Sequence, residues 1–496
     1  MRNKILAKVG LTFNDVSIVP AFSKILPTQV NTSTYLTKKI KLNVPILSAA
    51  MDTVTEKDLA IALALQGGIG IIHRNLTPEE QAAQVKGVKR FESGFITEPV
   101  TVSPETPIKN LHQAMQSLNF GGFPVTKDGS PNGKFLGEIT SRNFSIVKHG
   151  NLRVKDRMIP KEKVPTVNQG VTLEEANDIL LEGGHKKLFI LSKNGYLKAM
   201  VSRTDIEKNE LFPNACKDKH KRLRVGAAVG PGSDLKRRVK LLVDSYVDVI
   251  VVDTAHGHSE GVGDAIKYIK ENYNVDVIGG NIVTPEAAEF LISKGADAIK
   301  IGVGPGSICT TRIVAGVGVP QITAVYECSE VADKHNIPLI ADGSIKYSGD
   351  IAKAIAAGAS CVMIGNLFAG TKEAPGELIR GDGGRIFKKY RGMGSIGAMM
   401  AGSKDRYFQQ EIKEKVKLIP EGVEGLVPYR GEVKDMIYQL VGGLKQAMGY
   451  CGCDNIDKMR RKAMLRIVSP ATEKESHPSI RITKEAPNYP IMDGVI

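Results

Sequence analysis

Short apolar runs that end in polar residues or glycine recur along this chain and alternate with segments of helical character. The clearest runs cover residues 44–52, 247–253, 277–281, 298–302, 338–343 and 361–365. Helices are predicted between them, over residues 59–66, 285–294, 322–335 and 348–357. This repeated order of strand and helix predicts a parallel sheet covered by helices. Residues 225–230 contain too much glycine and alanine for the pattern to identify a strand there.

With the strands near the amino end, the number of strand–helix units approaches eight, which predicts an α/β fold of the TIM, or (β/α)8, barrel type. Residues 95–208 interrupt the series. They fall into two similar halves, an internal repeat of roughly fifty residues, and each half reads as strand, helix, strand, strand, helix. We therefore expect a barrel formed by residues 1–94 and 209–496, with residues 95–208 inserted as a separate domain.

Composition narrows the class of protein. The hydrophobic fraction of 42% and the charged fraction of 24% are those of an ordinary globular protein. The formal net charge of +14 favours an anionic partner. The basic runs carry no interleaved aromatic residues, so we expect a phosphorylated small molecule and no dedicated nucleic-acid site. The six cysteines show no CxxC pair, and no apolar run approaches ~18 residues. These features predict a cytoplasmic protein without a membrane segment.

The strongest candidate for chemistry is the loop at residues 302–313, which reads GVGPGSICTTRI. Its glycines and proline open the backbone, and Cys309 lies among hydroxyl residues with Arg312 three positions further on. A thiol reacts as the thiolate, which a partly exposed, electropositive loop favours. The alternative is a structural cysteine beside a glycine-rich phosphate loop. The GxG spacings at Gly302 and Gly392 do not follow a Rossmann first strand with an acid ~20 residues on, so no Rossmann domain is predicted.

The segment GPGSICTTR, residues 304–312, resembles the nucleophile loop of the inosine-5′-monophosphate (IMP) dehydrogenases, and the shorter GMP reductases carry a similar loop. The resemblance covers nearly the whole chain. It implies oxidation of IMP to xanthosine 5′-monophosphate (XMP) with NAD+ and water, through a covalent adduct on Cys309, in guanine nucleotide synthesis. The rival interpretations are a GMP reductase and a non-catalytic protein that senses nucleotides or binds RNA.

Residues 395–425 form a long polar segment without a regular period, and they resemble the mobile flap of this family. GMP reductases are expected to lack both the Arg406-Tyr407 pair of this flap and the inserted domain, which favours the dehydrogenase. The resemblance implies that Arg406 is the base for the hydrolytic water, with Tyr407 and Thr311 positioning that water. Glu421, relayed through Thr311, is the alternative base.

The resemblance also assigns residues that bind the substrate. The expected IMP contacts are Ser48, Met51, Ser307, Asp342, Gly343, Ser344, Gly365, Asn366, Tyr390, Arg391, Gly392, Met393, Gly394 and Glu421. Asp342 is expected to hold the ribose, and Ser307, Gly365, Asn366 and Tyr390 the phosphate. Ser344 and Asn366 depart from the glycine and serine that are usual in the family.

The same resemblance implies NAD+ and K+ as cofactors. The expected NAD+ contacts are Asp253, Gly302, Val303 and Gly304. The ion is expected at backbone carbonyls of Gly304, Gly306 and Cys309. The family completes that site from a neighbouring subunit, where Glu475, Ser476 and His477 match its pattern. A homotetramer is therefore implied.

Each half of the insert resembles a CBS domain, so the pair resembles a Bateman module that binds adenine or guanine nucleotides. In that family a Ser/Thr-x-x-Asp segment at the end of the last strand contacts the ribose. Ser202 to Asp205 keeps this pattern, whereas Thr140 to Asn143 ends in asparagine. A purely architectural insert is the alternative.

Overall fold

The protein, as a computed structural model, is described for residue 6 and for residues 9–91, 95–96, 99–118, 120–381, 384–484 and 486–489. The chain divides into two compact units. One comprises residues 1–90, 214–218 and 223–496, and we call it the barrel unit. The other comprises residues 91–213 and 219–222, and we call it the inserted unit.

The strands are numbered in chain order. They are β1 Val16–Val19, β2 Thr34–Tyr35, β3 Lys41–Leu42, β4 Ile46–Ser48, β5 Ile69–Ile72, β6 Gly122–Thr126, β7 Phe135–Thr140, β8 Ile159–Pro160, β9 Thr166–Asn168, β10 Lys187–Leu191, β11 Leu197–Ser202, β12 Val225–Val229, β13 Val249–Asp253, β14 Asp276–Ile282, β15 Ala298–Ile301, β16 Leu339–Asp342, β17 Cys361–Ile364, β18 Leu378–Arg380, β19 Ile386–Arg391, β20 Glu424–Pro428 and β21 Met464–Ile467.

The helices are numbered in the same way. They are α1 Lys57–Leu65, α2 Pro78–Lys89, α3 Ile108–Leu118, α4 Ile146–His149, α5 Leu173–Glu182, α6 Arg203–Leu211, α7 Leu235–Asp244, α8 Glu260–Asn272, α9 Pro285–Ser293, α10 Thr311–Val314, α11 Gln321–Lys334, α12 Ser348–Ala356, α13 Asn366–Ala369, α14 Ile396–Ala398, α15 Val433–Tyr450, α16 Ile456–Lys462 and α17 Ala471–Ser476. In the described ranges, none of these helices combines the length and the apolarity needed to span a bilayer.

Eight parallel strands close into a barrel in the order β12-β13-β14-β15-β16-β17-β4-β5. β17 completes the ring against β4, with Ile364 opposite Ser48. β5 pairs with β12, with Gly70 opposite Val225, although the whole inserted unit lies between them in sequence. The predicted TIM-barrel class is confirmed, and residues 225–229, which the pattern left unassigned, form one of its strands.

The barrel strands are buried because side chains fill the inside of the ring and helices cover the outside. Alternate residues of a strand face opposite sides, and those that face the axis form a hydrophobic cluster. It includes Leu47, Ile69, Ile71, Ala228, Val249, Val251, Ile278, Ala298, Ile340, Cys361 and Met363. An eight-stranded barrel is just wide enough for such side chains to fill it, so the interior is a packed core.

Local sequence fixes where several of the outer helices begin. α2 starts with a capping box, in which the Thr77 side chain accepts from the Glu80 backbone and Pro78 occupies the first turn. α9 repeats this start, because the Thr284 side chain accepts from Ala287 N ahead of a first-turn proline. These caps satisfy backbone donors that a helix start otherwise leaves without a partner.

A three-stranded antiparallel sheet, β18-β19-β20, lies outside the ring and holds the two ends of the flap together. Arg391, the last residue of β19, pairs with Glu424, the first residue of β20. The segment between these two residues leaves and re-enters the same sheet. Its course is therefore constrained at both ends, while residues 392–423 are available to cover the barrel mouth.

The inserted unit consists of two similar halves, each with a three-stranded sheet: β6-β7-β8 in the first and β9-β10-β11 in the second. Each half has a separate hydrophobic cluster. A third cluster draws on both halves, and the rings of Phe135 and Phe189 lie 4.8 Å apart within it. Ser202 N donates to Asp205 Oδ2 at 3.0 Å, and Thr140 N donates to Asn143 Oδ1 at 2.8 Å. The two halves thus make the same turn despite the different acceptor.

The segments of the barrel unit that precede and follow the insertion lie close together. Lys89 Nζ lies 3.2 Å from Asp218 Oδ2, and Cys216 N donates to Ala64 O at 2.7 Å. We therefore expect that residues 92–213 can be replaced by a glycine–serine linker of about six residues, which reaches ~20 Å. This variant should show a cooperative thermal transition by circular dichroism. A shortened chain that unfolds without cooperativity would contradict the independence of the barrel unit.

Candidate active site

The inward-facing rows of the barrel end in charged residues on three strands. Alternation continues the apolar rows of β13, β15 and β16 to Asp253, Lys300 and Asp342. All three lie toward the carboxyl ends of their strands. This is the end of a (β/α)8 barrel at which active sites are built.

The ammonium of Lys300 is the centre of a buried polar network. Its side chain is 2% exposed, and Nζ lies 3.0 Å from Asp253 Oδ1 and 2.8 Å from Asp342 Oδ2. It also donates to Asn281 Oδ1. Asn281 Nδ2 in turn donates to Asp342 Oδ2 at 2.9 Å and to Gly302 O at 2.7 Å. An ammonium has three donors, so each donor of Lys300 has an acceptor and both carboxylates share one cation.

β15 leads directly into the loop that carries Cys309. The loop can begin there only with glycine, because Gly302 has a φ of 145° and a Cβ would lie 2.2 Å from Asp342 O. Cys309 is half-buried, and its Sγ lies 3.1 Å from Thr311 Oγ1. The thiol therefore has one neighbouring hydroxyl and remains accessible from the cavity.

The backbone of this loop is bonded to the carboxyl end of the flap. Thr310 N donates to Glu421 O at 2.9 Å, and Val423 N donates to Ile308 O at 3.0 Å. The two bonds form an antiparallel bridge between Cys309 and Gly422. The position of the thiol is thus coupled to the flap as well as to the barrel.

The predicted phosphate-binding residues lie together on one side of the loop. Asn366 Nδ2 donates to Ser307 Oγ at 3.1 Å, and the buried Tyr390 phenol is hydrogen bonded to the same serine. Burial raises the pKa of Tyr390, so the phenol is a neutral donor. A Cβ at Gly365 would lie 2.8 Å from Tyr390 Oη, so glycine allows the phenol to pack closely against this turn. Amide and hydroxyl donors of this kind suit an anion.

Ser344 occupies a backbone conformation that explains the glycine usual at this position. Its φ is 62°, in the left-handed region that side chains disfavour. The Ser344 hydroxyl donates to Pro305 O at 2.6 Å, which ties this turn to the nucleophile loop. Gly343 also has a positive φ, of 101°. The turn after Asp342 therefore keeps its shape with serine in place of glycine.

The flap brings Arg406 and Tyr407 to the barrel mouth in the turn Lys404–Tyr407. The Arg406 guanidinium forms an ion pair with Asp253 Oδ2 and is hydrogen bonded to Tyr407. Burial lowers the pKa of Arg406 and raises the pKa of Tyr407. A Cβ at Gly394 would lie 2.6 Å from the Tyr407 ring, so glycine leaves the space that this ring fills.

These groups surround a cavity of about 110 Å³ at the carboxyl end of the barrel. The residues expected from the sequence that line it are Met51, Asp253, Gly302, Val303, Gly304, Gly306, Cys309, Thr311, Asp342, Gly343, Met393, Arg406 and Tyr407. The candidate nucleophile Cys309, the flap residues Arg406 and Tyr407, and the two carboxylates of Asp253 and Asp342 thus line one cavity.

Other expected substrate contacts are engaged elsewhere. Ser48 is fully buried and accepts a hydrogen bond from Thr55 Oγ1 at 2.8 Å. The Arg391 guanidinium is bidentate to Asp52, at 3.1 and 2.6 Å, and does not line the cavity. A Cβ at Gly392 would lie 2.9 Å from the carbonyl of Ile308, so this glycine allows close packing on the loop.

The residues assigned to a subunit-spanning ion site lie on the surface. Glu475 and Ser476 end α17, and Ser476 Oγ donates to Thr472 O at 2.7 Å. His477 Nδ1 lies 2.5 Å from Tyr489 Oη. Among the described residues, no hydrogen bond joins this segment to residues 302–313 of the same chain.

Lys300 and Asn281 belong to the site although the sequence pattern did not single them out. The signal for Lys300 was a charged residue within a strand whose neighbours are all apolar, since a lysine is almost never fully buried without a partner. Asn281 gave no comparable signal. It contacts Lys300 because the register shifts between Gly280 and Ile282.

A closed parallel barrel with an accessible loop cysteine beside a buried carboxylate–ammonium network defines a (β/α)8-barrel enzyme with a candidate thiol nucleophile. The family model described as IMP dehydrogenase / GMP reductase domain matches residues 10–479. The chain belongs to this family.

Individual relatives and a solved structure agree over almost the full length. The chain is 53% identical to the inosine-5′-monophosphate dehydrogenase of Aquifex aeolicus, over 97% of this chain and 98% of the relative. It is 50% identical to the inosine-5′-monophosphate dehydrogenase of Bacillus subtilis, over 98% and 99% respectively. A crystal structure of a cysteine-to-alanine variant of GMP reductase from Trypanosoma brucei, in complex with guanosine 5′-monophosphate, aligns with a TM-score of 0.84 and 40% identity, over 96% of this chain and 98% of that chain.

One expectation from the sequence is corrected by this structure. We expected GMP reductases to lack the inserted domain. The reductase structure, however, aligns with 96% of this chain, which leaves only about 20 of the 496 residues of this chain unmatched. That remainder is too short to contain either half of the insert. The inserted unit therefore does not separate the two activities, and the Arg406-Tyr407 pair is the remaining expected difference.

The buried network predicts a large effect of removing its cation. Lys300→Met removes the cation that Asp253 and Asp342 share, leaving Asp253 with the Arg406 guanidinium and Asp342 without its ion pair, which should lower the free energy of unfolding by about 3–5 kcal/mol. Urea denaturation measures this loss. Lys267→Met is the control, because Lys267 is 61% exposed and lies 3.8 Å from Glu271, and its effect should stay within ~0.5 kcal/mol. Equal stabilities of the two variants would contradict the central role of Lys300.

Proposed function

We propose that this protein is an NAD+-dependent IMP dehydrogenase, which oxidises IMP to XMP with water in guanine nucleotide synthesis. The observation that carries the proposal is the convergence of Cys309 with the flap residues Arg406 and Tyr407 in one cavity. Cys309 supplies a nucleophile, and the flap pair supplies groups suited to hydrolysis of a covalent intermediate. The two dehydrogenase relatives, at about 50% identity over nearly the whole chain, support the same activity.

The geometry suggests how IMP would bind. Asp342 would accept hydrogen bonds from both ribose hydroxyls, since a carboxylate has two acceptor oxygens. Ser307, Gly365 and Tyr390, with Asn366 beside them, would donate to the phosphate. The base would then lie between Met51 and the segment from Met393 to Gly394, with its C2 atom toward Cys309.

In the first step, the Sγ of Cys309 adds to C2 of IMP and the C2 hydrogen departs with its electron pair. NAD+, when bound, accepts this hydride. A thioimidate of XMP remains on Cys309. Thr311 Oγ1 lies 3.1 Å from Sγ and can donate a hydrogen bond to the attacking sulfur.

In the second step, water adds to C2, the C–S bond breaks, and Cys309 regains its thiolate while the water gives up its proton. Arg406 is the proposed acceptor of that proton, with Tyr407 and Thr311 positioning the water. An arginine is normally cationic, but burial lowers the pKa of Arg406 and so favours its neutral form. Glu421, relayed through Thr311, is the alternative acceptor.

The two steps need Asp253 for different purposes. Asp253 is the expected ribose contact of NAD+, and Gly302 to Gly304 would lie beside the nicotinamide. The Asp253 carboxylate is paired with Arg406 when the flap lies in the cavity. The cofactor and Arg406 would therefore use the same carboxylate in turn, which separates hydride transfer from hydrolysis.

A potassium ion and a homotetramer belong to the same proposal. Among the described residues, no group of three or more His, Cys, Asp or Glu side chains could hold a metal. The nucleophile loop instead offers backbone carbonyls at Gly304, Gly306 and Cys309, and oxygen ligands suit a hard cation. Glu475, Ser476 and His477 are exposed, which leaves them open to completing the site of a neighbouring subunit.

The inserted unit is proposed to bind an adenine or guanine nucleotide. The support is the matching turn in its two halves, at Ser202 to Asp205 and at Thr140 to Asn143. A carboxylate accepts from two ribose hydroxyls better than an amide does. The half that ends in Asp205 is therefore the stronger candidate.

A test of substrate and cofactor separates the dehydrogenase from the GMP reductase. With IMP, NAD+ and KCl, the protein should produce the absorbance of NADH, whereas GMP with NADPH should give no loss of absorbance. Cys309→Ala should abolish NADH formation, because no other thiol lines the cavity among the described residues. IMP should still bind to this variant in calorimetry. Consumption of NADPH with GMP, and no reaction with IMP, would instead establish a reductase.

A variant of Arg406 separates the two chemical steps. Arg406→Ala should release NADH in a burst close to one per active site, because hydride transfer does not require Arg406. Its steady-state rate should then fall by ~10²-fold or more, the usual scale for a positioned acid–base group. Rapid-quench kinetics and the protein mass, which should rise by the XMP adduct, measure both events. A burst reduced in proportion to turnover would assign Arg406 to substrate binding instead.

A further inference from the structure

Unpaired polar atoms gather beneath the flap. Among the described residues, the buried side-chain atoms without a hydrogen-bond partner include Arg74 Nη2, Asn75 Oδ1, Asp405 Oδ1 and Arg406 Nε. Buried polar groups are nearly always paired, so each unpaired group calls for an explanation, of which a catalytic role is one. The four atoms come from two places in the chain, the segment after β5 and the flap, so they identify a polar junction between them.

The junction is built around an ion pair between Arg74 and Asp405. The Arg74 side chain is 7% exposed and that of Asp405 is 22% exposed, and Arg74 Nη1 contacts Asp405 Oδ2. Asp405 directly precedes Arg406, whose guanidinium contacts Asp253 at the end of β13. Two successive flap residues are therefore held by opposite charges, one just after β5 and one at the end of β13.

Gly230 leaves space for the Arg74–Asp405 pair, and Asn75 makes a second contact between the segment after β5 and the flap. A Cβ at Gly230, just after β12, would lie 2.3 Å from Arg74 Nη1 and 2.8 Å from Asp405 Oδ2, so a side chain there would displace this ion pair. Asn75 Nδ2 donates to Ala398 O in the flap at 3.2 Å. The flap thus contacts the segment after β5 at two points.

We propose that Arg74 is a positioning residue for the hydrolytic step: through Asp405, it holds the flap so that Arg406 lies on Asp253 beside Cys309. The inference rests on the proposed function, because it assigns Arg74 to one step of that reaction. Hydride transfer takes place before the flap enters the cavity, so Arg74 is not required for it.

The charge of Arg74, like its position, supports the proposed role of Arg406 as a base. A second guanidinium close to Arg406 adds to burial in lowering the pKa of Arg406, and so favours the neutral form that can accept a proton. The other charged or titratable groups at or near Arg406 are Asp253, Asp405, Tyr407, Cys309, Lys300 and Asp342. Of these, the ion-paired Asp253 and the hydrogen-bonded Tyr407 oppose the neutral form.

The test uses the full-length protein with Arg74→Met. The burst of NADH should keep its amplitude and rate within about twofold, whereas the steady-state rate should fall by about 10- to 100-fold, as expected for a displaced catalytic group. Arg74→Lys keeps the charge and should recover part of the lost rate. If wild-type protein made no NADH from IMP, the proposed function would fail; normal turnover by Arg74→Met would overturn this inference alone.

A pH profile distinguishes an electrostatic role from a merely structural one. Turnover limited by Arg406 as a base rises with pH through the pKa of Arg406, because only the neutral form accepts the proton. Removing the Arg74 charge raises that pKa, so the rising limb should move to higher pH in Arg74→Met and return toward wild type in Arg74→Lys. An unchanged limb with a slower rate would refute the electrostatic part of the proposal.

Two further variants keep the proposal testable if Arg74→Met folds poorly. Asp405→Asn removes the same ion pair from the more exposed side and should show the same retained burst and slow turnover. The double variant should be no slower than the worse single one, because both changes remove one interaction. Arg237→Met is the control, since Arg237 is 70% exposed and pairs with Glu79 on the surface. Additive losses, or a lost burst, would contradict the proposal.

Discussion

A single buried ammonium organises the active end of this barrel. Lys300 lies between Asp253 and Asp342 on neighbouring parts of the ring, and either carboxylate would be costly to bury without it. Asp342 is the expected contact of the substrate ribose, whereas Asp253 contacts the flap residue Arg406. Because one lysine contacts both, the two carboxylates keep a fixed spacing. The nucleophile loop begins two residues after Lys300, so the thiol inherits its position from the same strand.

The closed flap continues this network outward as an alternation of charges. Lys300 contacts Asp253, and Asp253 contacts Arg406 of the flap. The flap residue just before it, Asp405, contacts Arg74. Positive and negative groups therefore follow one another from the barrel axis to the segment after β5. Such an arrangement tolerates several buried charges because each has an opposite neighbour, although it leaves some of their donors and acceptors unpaired. The flap therefore binds where Arg406 and Asp405 each meet a residue of opposite charge, Asp253 and Arg74 respectively.

The sequence predicted the barrel class because its short apolar runs indicate parallel strands. It also predicted that the loops converge, because the loops that follow the strands of such a barrel lie at one end. It did not identify β12, whose glycine and alanine residues lack the β-branched side chains typical of a strand. Lys300 was overlooked because one lysine in an apolar run reads as ordinary alternation. The contact of Arg391 with Asp52 was also beyond prediction, because its partners lie 339 positions apart. The assignments of individual substrate, ion and nucleotide contacts stay predictions.

The order of strands around the ring has a consequence for how the chain acquires its structure. β4 pairs with β17, so the first barrel strand has no partner on one side until residues 361–364 are synthesised. Pairings between such distant segments form slowly, since a long loop must close first. The inserted unit, which has its own hydrophobic clusters, emerges during this delay. A nascent chain that stops before β17 therefore exposes a hydrophobic strand edge, and such edges are templates for aggregation.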